Sequence, residues 1–325
     1  MAFSADQLLE KVNTYLATMP YVREPKGLYA PIEYVLSLGG KRIRPVLMLL
    51  SYQLYKENVD DILPQAAGIE TYHNYTLLHD DLMDCADMRR NKPTVHKVWD
   101  ENTAILSGDA MLVLAYRLMN NCPERYLKQV MDLFSQTALE ICEGQQWDME
   151  FETRNDVTVP EYMEMIRLKT SVLLSAALKI GAVLGGGSED DARKLYDFGI
   201  KMGLAFQLQD DYLDVYGDSK VFGKNIGGDI LCNKKTFMLI NALALADGIQ
   251  RKELEKWIAS TAFCPEEKIK AVTALYDKIG IGGICEEKIN AYYVEGLSLL
   301  ESMAVPSERK EELKSFVCHL MNRKV

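Results

Sequence analysis

The sequence predicts an all-α protein. Apolar residues recur at three- and four-residue intervals through nearly the whole chain, whereas strictly alternating, β-branched runs bounded by turns are hard to find. The breaks in this pattern are short and fall on helix-ending or turn-forming residues: Gly39-Gly40, Asn91-Lys92-Pro93, Cys122-Pro123, Gly185-Gly186-Gly187, Gly227-Gly228 and Pro306. No composition shift or linker divides the 325 residues, so residues 1–325 read as a single large helical domain.

Taken in order, apolar periodicity predicts helices over 3–19 and 29–38, the second closed by the Gly39-Gly40 break. The next two, 43–57 and 62–85, lead up to the Asn91-Lys92-Pro93 turn. Helices over 103–120 and 124–152 flank Cys122-Pro123. A long apolar run predicts 159–184, and the triple glycine separates it from 188–216. After Gly227-Gly228 come 234–246, 250–259, 266–276 and 280–303, and the helix over 307–322 begins behind Pro306. The most apolar stretch, Ser171 to Gly187, is interrupted by Lys179 and is short for a membrane span, so it reads as a buried core helix.

The net charge of −10 argues against general nucleic-acid binding, which needs a basic surface, and any anionic ligand must meet a local basic patch. The seven cysteines include no CxxC pair and no Cys/His zinc spacing, so they read as reduced thiols. Met1 to Glu10 lack a basic stretch followed by an apolar core, and a cytoplasmic protein without stable membrane insertion is expected.

Two acidic clusters share one form, Asp80-Asp81-Leu-Met-Asp84 and Asp210-Asp211-Tyr-Leu-Asp214, each in the last turns of a long predicted helix. Residues four apart lie on one helix face, so Asp80 with Asp84, and Asp210 with Asp214, can each aim two carboxylates at one point. Such groups repel one another and sit at the negative helix end, a double cost that hard cations such as Mg²⁺ offset. Basic residues alternate with the clusters along the chain: Lys41, Arg42 and Arg44 after Gly39-Gly40, His73 before the first cluster, Arg89-Arg90 after it, and Lys224, Lys234 and Lys235 after the second. This alternation suits a diphosphate bridged to carboxylates by Mg²⁺ and neutralised by Lys and Arg. No GxxxxGK[ST] pattern is present, so a nucleotide is not the natural ligand.

The ordered motifs Gly40-Lys41-x-x-Arg44-Pro45, Asp80-Asp81-x-x-Asp84 with Arg89-Arg90, Lys169-Thr170, Gln207-x-x-Asp210-Asp211-x-x-Asp214, and Lys224 followed by Lys234 resemble the all-trans isoprenyl (polyprenyl) diphosphate synthases over nearly the whole chain. The resemblance implies a helical bundle of the isoprenoid synthase type with a central cavity, a homodimer, and condensation of isopentenyl diphosphate with dimethylallyl, geranyl or farnesyl diphosphate to farnesyl or geranylgeranyl diphosphate. It also implies three Mg²⁺ ions, two on Asp80 and Asp84 and a third on Asp210, with Asp81, Asp211 and Asp214 acting through water. Arg89, Lys169, Lys224 and Lys234 are assigned to the allylic diphosphate, and Lys41, Arg44, His73 and Arg90 to that of isopentenyl diphosphate. Thr170 and Gln207 are assigned to the allylic cation. The basic tail Arg323-Lys324 reads as a frayed end.

The helix carrying the first cluster is expected to line the product tunnel. Thr76, Tyr75 and Tyr72 lie about 6, 7.5 and 12 Å before Asp80 by helix rise, where bulk would stop elongation. An aromatic at Tyr75 goes with short products in the family, although helix-spaced aromatics are commonly core residues. The two-residue insertion that many bacterial short-chain members carry in the first cluster is absent. Three other readings stand beside this one: a class I terpene cyclase, a head-to-head squalene- or phytoene-type synthase, and a regulatory subunit. The first two do not need Lys41 and Arg44, and regulatory subunits typically lose aspartates from the clusters, whereas all six are present.

Overall fold

The architecture is all-α in the computed structural model, which describes residues 3–21, 23–217 and 226–321. Sixteen α-helices follow one another among the described residues: α1 (Ala5–Thr18), α2 (Lys26–Ser37), α3 (Ile43–Gln53), α4 (Leu63–Met83), α5 (Val95–Val98), α6 (Glu101–Met119), α7 (Glu124–Thr153), α8 (Val159–Ile166), α9 (Val172–Gly185), α10 (Glu189–Tyr216), α11 (Gly228–Leu231), α12 (Phe237–Leu245), α13 (Gly248–Ala259), α14 (Pro265–Ile279), α15 (Ile281–Glu301) and α16 (Ser307–Met321). Local chemistry fixes several starts. Ser4 with Gln7, Thr158 with Glu161, and Asp247 with Gln250 form reciprocal capping boxes that satisfy otherwise orphaned N–H groups of α1, α8 and α13. The helix expected from 234 begins later, at Phe237, because the Thr236 side chain accepts from Leu239 N–H and so occupies the cap.

Three features depart from the sequence expectation. The turn after the first acidic cluster is a small antiparallel hairpin pairing Met88–Arg89 with Lys92–Pro93. Arg90 and Asn91 both have positive φ, 52° and 61°, as a two-residue type I′ turn requires. The run expected as one helix over 159–184 holds a π turn at Arg167–Ser171 between α8 and α9. Its Val159–Gly185 stretch is apolar and long enough to cross a membrane, but 83% of its most apolar window is buried, as in a core helix. Two four-residue helices, α5 and α11, were not expected.

The chain divides into two compact units. The first comprises residues 1–135, 176–196 and 304–313, the second 136–175, 197–303 and 314–325. In the first, α4 packs mainly on α6 and α3. Gln65 to Tyr72 are all buried, whereas Met83 and Asp84 at the other end of α4 are exposed, so this helix runs from core to an open end. A core of Ile32, Val35, Leu36, Leu78, Val95, Ala104 and Met111 fixes α2, α4 and α6. In the second unit Tyr162, Met165, Leu204, Leu208, Phe237, Met238, Val272, Leu275 and Tyr276 join α8, α10, α12 and α14. Within that unit, Gly199 and Gly203 of α10 oppose Ser175 and Ser171, where an added Cβ would lie 2.6 Å from the serine Cα atoms. This ladder of small residues at i, i+4 spacing brings α10 against the π turn, and its next rungs are Gln207 and Asp211.

Candidate active site

In the first unit, Asp80 lies in the last turn of α4 and Asp84 caps it, donating its N–H to the Asp80 carbonyl at 2.9 Å. The two therefore keep helical spacing, with Asp80 half-buried and Asp84 exposed. Asp81 points elsewhere. It is buried, and Arg89 donates to its Oδ1 through Nε at 2.8 Å and Nη2 at 2.5 Å, while Nη2 stays 3.6 Å from Asp80 Oδ2. Burial pushes the Asp81 carboxyl up, and Arg89 partly offsets this.

The hairpin sends the two neighbouring arginines apart. Arg90 donates to the Gly39 carbonyl and packs on Gly40, where a Cβ would meet its guanidinium at 2.8 Å. Gly40 also has φ +134°, a conformation other residues rarely adopt, so this position calls for glycine on two grounds. Arg42, one of the basic residues after Gly39-Gly40, is a structural anchor. It is buried, bonds Glu70 at 2.7 Å and donates to the Leu36 carbonyl at 2.7 Å. Arg44 Nη1 lies 3.1 Å from His73 Nε2, and since a guanidinium only donates, that nitrogen accepts and the imidazole is neutral. Burial, then Arg44, Arg90 and Arg89, hold the His73 pKa well below its usual value. Burial also lowers Arg44 to about 10, Arg90 adding to this against an opposing Glu70. Arg44 Nε is buried without a hydrogen-bond partner. Clustered, mutually repelling cations with a buried donor left unpartnered make a place suited to an anion. Lys41 is exposed beside it.

Tyr72 is fully buried in a chain of rings. Its centroid lies 5.2 Å from Phe134 and 5.4 Å from Tyr75, while Tyr75 meets His79 at 4.8 Å and Phe134 meets Tyr116 at 4.9 Å. Thr76 is half-buried and donates to the His73 carbonyl.

In the second unit, the π turn presents Lys169 and Thr170. Gly144 of α7 permits close approach to that turn, since a Cβ there would come 2.4 Å from the Lys169 backbone nitrogen. Thr170 Oγ1 donates to Gln207 Oε1 at 3.2 Å, and Gln207 Nε2 donates to Asp211 Oδ1 at 3.3 Å. Asp211 is buried and also accepts from the Tyr162 hydroxyl; burial and then Asp229 raise its pKa to about 7. Asp210 is half-buried on the same helix, and Asp214 Oδ2 accepts from Asp229 N–H at 3.0 Å. Lys169 Nζ bonds Asp148 Oδ2 at 2.6 Å. Burial would raise Asp148, but Lys234 and Lys169 together draw it below the usual value. Asp148 and Tyr162 thus hold assigned residues in place, though the motif reading passed over both. The signal for Asp148 was its place on the same helix as Gly144, one turn on. Lys224 and the tail Arg323-Lys324 lie outside the described residues.

The donor set suits a hard divalent cation. Among the described residues, no group of three or more His, Cys, Asp or Glu side chains is arranged to hold a metal. Mg²⁺ characteristically takes one or two carboxylates and completes its shell with water and phosphate oxygens, which paired Asp80 and Asp84 permit.

A polyprenyl synthetase family model matches residues 25–276. The chain belongs to the polyprenyl synthetase family. A short chain isoprenyl diphosphate synthase of Methanocaldococcus jannaschii is 41% identical over 273 residues, 84% of this chain and 83% of that protein. The crystal structure of a geranylgeranyl pyrophosphate synthase, 45% identical, matches with a TM-score of 0.91 over 98% of both chains. Another, from Corynebacterium glutamicum and complexed with isoprenyl diphosphate and magnesium, is 26% identical with a TM-score of 0.88 over 99% of this chain and 100% of that one. The all-α fold and the family expected from the motifs are borne out. This polyprenyl synthetase is a short-chain trans-prenyltransferase.

Proposed function

We propose that the protein condenses isopentenyl diphosphate with allylic diphosphates and that its end product is geranylgeranyl diphosphate, with release of diphosphate. The observation that carries this is the Arg44–His73–Arg90 cluster with its orphaned Arg44 Nε, an anion site separate from the carboxylates of α4. A cyclase or head-to-head synthase, which takes no isopentenyl diphosphate, has no use for it. The names of relatives at 46 and 45% identity, both geranylgeranyl diphosphate synthases, favour twenty carbons over fifteen.

In this reading residues 1–325 act as one catalytic domain of a cytoplasmic homodimer. The apolar Ile105, Leu106 and Val113, exposed on α6, offer a face for a second copy. Asp80 and Asp84 would hold two Mg²⁺ ions and Asp210 a third, and the metal, when bound, neutralises charge gathering on the leaving diphosphate. Arg89, Lys169, Lys224 and Lys234 bind the allylic diphosphate; Lys41, Arg44, His73 and Arg90 bind that of isopentenyl diphosphate. As the allylic C–O bond breaks, Thr170 and Gln207 turn oxygen dipoles toward the cation without offering a nucleophile. The isopentenyl double bond then attacks, and the released diphosphate takes the proton lost in restoring the alkene. Asp81, Asp211 and Asp214 would act on the metals through water, and in the same arrangement Asp81 and Asp211 steady Arg89 and Gln207 while Asp214 holds the Asp229 backbone. Thr76, Tyr75 and Tyr72 limit product length.

Purified protein incubated with Mg²⁺, labelled isopentenyl diphosphate and farnesyl diphosphate is expected to yield a labelled C20 product by chromatography. No incorporation with any allylic primer would sink the condensing activity, and accumulation of C15 from geranyl diphosphate without further extension would sink the product assignment.

A further inference from the structure

Lys268 is 1% exposed, among the most deeply buried side chains of the protein. A buried ammonium is costly unless hydrogen-bonded, so its partners matter. It sits in the first turn of α14 behind Glu266 and Glu267, the end of a helix where a cation is disfavoured. Its Nζ reaches instead to the last residue of another helix. It donates to the Leu231 carbonyl of α11 at 3.2 Å and to Asn233 Oδ1 at 2.8 Å, and lies 4.2 Å from the Phe263 ring centroid.

These contacts converge on one loop. Asn233 has φ +53°, and its Nδ2 donates to the Ile258 carbonyl at 3.1 Å, tying the loop to α13. The next residue is Lys234, whose N–H donates to the Asp229 carbonyl at 2.9 Å and whose carbonyl accepts from Thr236 N–H at 2.8 Å. The Lys234 charge, together with that of Lys169, draws down Asp148. The two groups that Lys268 joins, the Leu231 carbonyl and the Asn233 side chain, thus lie within three residues of the assigned substrate lysine Lys234.

We infer that Lys268 is a positioning residue for Lys234: its buried ammonium locks the α11–Asn233 loop so that the Lys234 side chain is held in place for the allylic diphosphate. Lys268 touches no substrate in this arrangement. The inference rests on the role assigned to Lys234 above.

The test is a double-mutant cycle on the full-length enzyme with geranyl diphosphate and isopentenyl diphosphate. Lys268→Met is expected to lower kcat/KM for geranyl diphosphate about tenfold, with KM for isopentenyl diphosphate within about twofold of wild type. In a Lys234→Ala background the same substitution should change kcat/KM by less than about twofold, because two residues acting through one another are not additive. An undiminished tenfold effect in that background would overturn the inference. If Lys234→Ala alone leaves geranyl diphosphate kinetics unchanged, the role of Lys234 fails and the inference falls with it. Should Lys268→Met not fold, Asn233→Gly keeps the left-handed backbone while removing one Lys268 acceptor. A rise of about threefold in KM for geranyl diphosphate alone supports the lock, and unchanged kinetics overturn it.

Discussion

Protonating His73 would remove the acceptor of Arg44 and add a cation in the field of four arginines, Arg44, Arg90, Arg89 and Arg42, so the fold disfavours it. In the unfolded chain the same imidazole titrates near 6.5. The folded pKa is depressed, so this group's stabilisation is fully present above about pH 6.5 and is lost as pH falls from there toward the folded value. At pH 5.5 the unfolded histidine binds most of a proton and the folded one less, a loss between pH 7.5 and 5.5 whose ceiling, set by the unfolded pKa alone, is about 1.4 kcal/mol. His73→Gln keeps an acceptor for Arg44 and removes the titration. Unfolding followed at pH 7.5 and 5.5 should show the wild type losing more stability than the variant, by up to about 1.4 kcal/mol, because the other groups titrate in both. Equal pH dependence in the two proteins would refute the buried, neutral imidazole.

Asp80→Asn and Asp210→Asn should each lower kcat about 100-fold or more while shifting KM for isopentenyl diphosphate less than about threefold, measured by initial rates; comparable loss of isopentenyl diphosphate affinity would count against the metal assignment. Tyr162→Phe strips a donor from buried Asp211 and should destabilise the protein by about 1–3 kcal/mol in denaturant unfolding. Tyr75→Ala and Tyr72→Ala should both lengthen the product, read by chromatography. Tyr72→Ala should also cost about 3–5 kcal/mol of stability, since that ring is fully buried between Phe134 and Tyr75, whereas Tyr75 is half-buried. Unchanged product length in both variants would reduce these rings to core packing.

Much of this protein is legible in its sequence because helical period and glycine breaks act locally. The long helices α4, α7 and α10 came out within a few residues, and with them the i, i+4 spacing of Asp80 with Asp84 and of Asp210 with Asp214. What the sequence hid depends on partners far along the chain. Asp81 and Asp211 are each one step, about 100°, round the helix from Asp80 and Asp210, which turns them inward to Arg89 and Tyr162. Arg42 reads like its basic neighbours until Glu70 is found beneath it. The π turn widens a helix by one residue without any glycine or proline to announce it, and the hairpin depends on Arg90 and Asn91 tolerating positive φ.

That hairpin links the kinetics of two substrates. Arg89 closes the first strand of the hairpin and Arg90 opens its two-residue turn, one gripping Asp81 and the other Gly39, so a shift of the hairpin moves both. With Arg89 assigned to the allylic diphosphate and Arg90 to isopentenyl diphosphate, a disturbance at the turn is a shared one. Asn91→Val places a β-branched residue where φ is 61°, at a cost of about 1–2 kcal/mol. The Michaelis constants of the two substrates should then rise in step, a covariance that substituting either arginine alone would not produce.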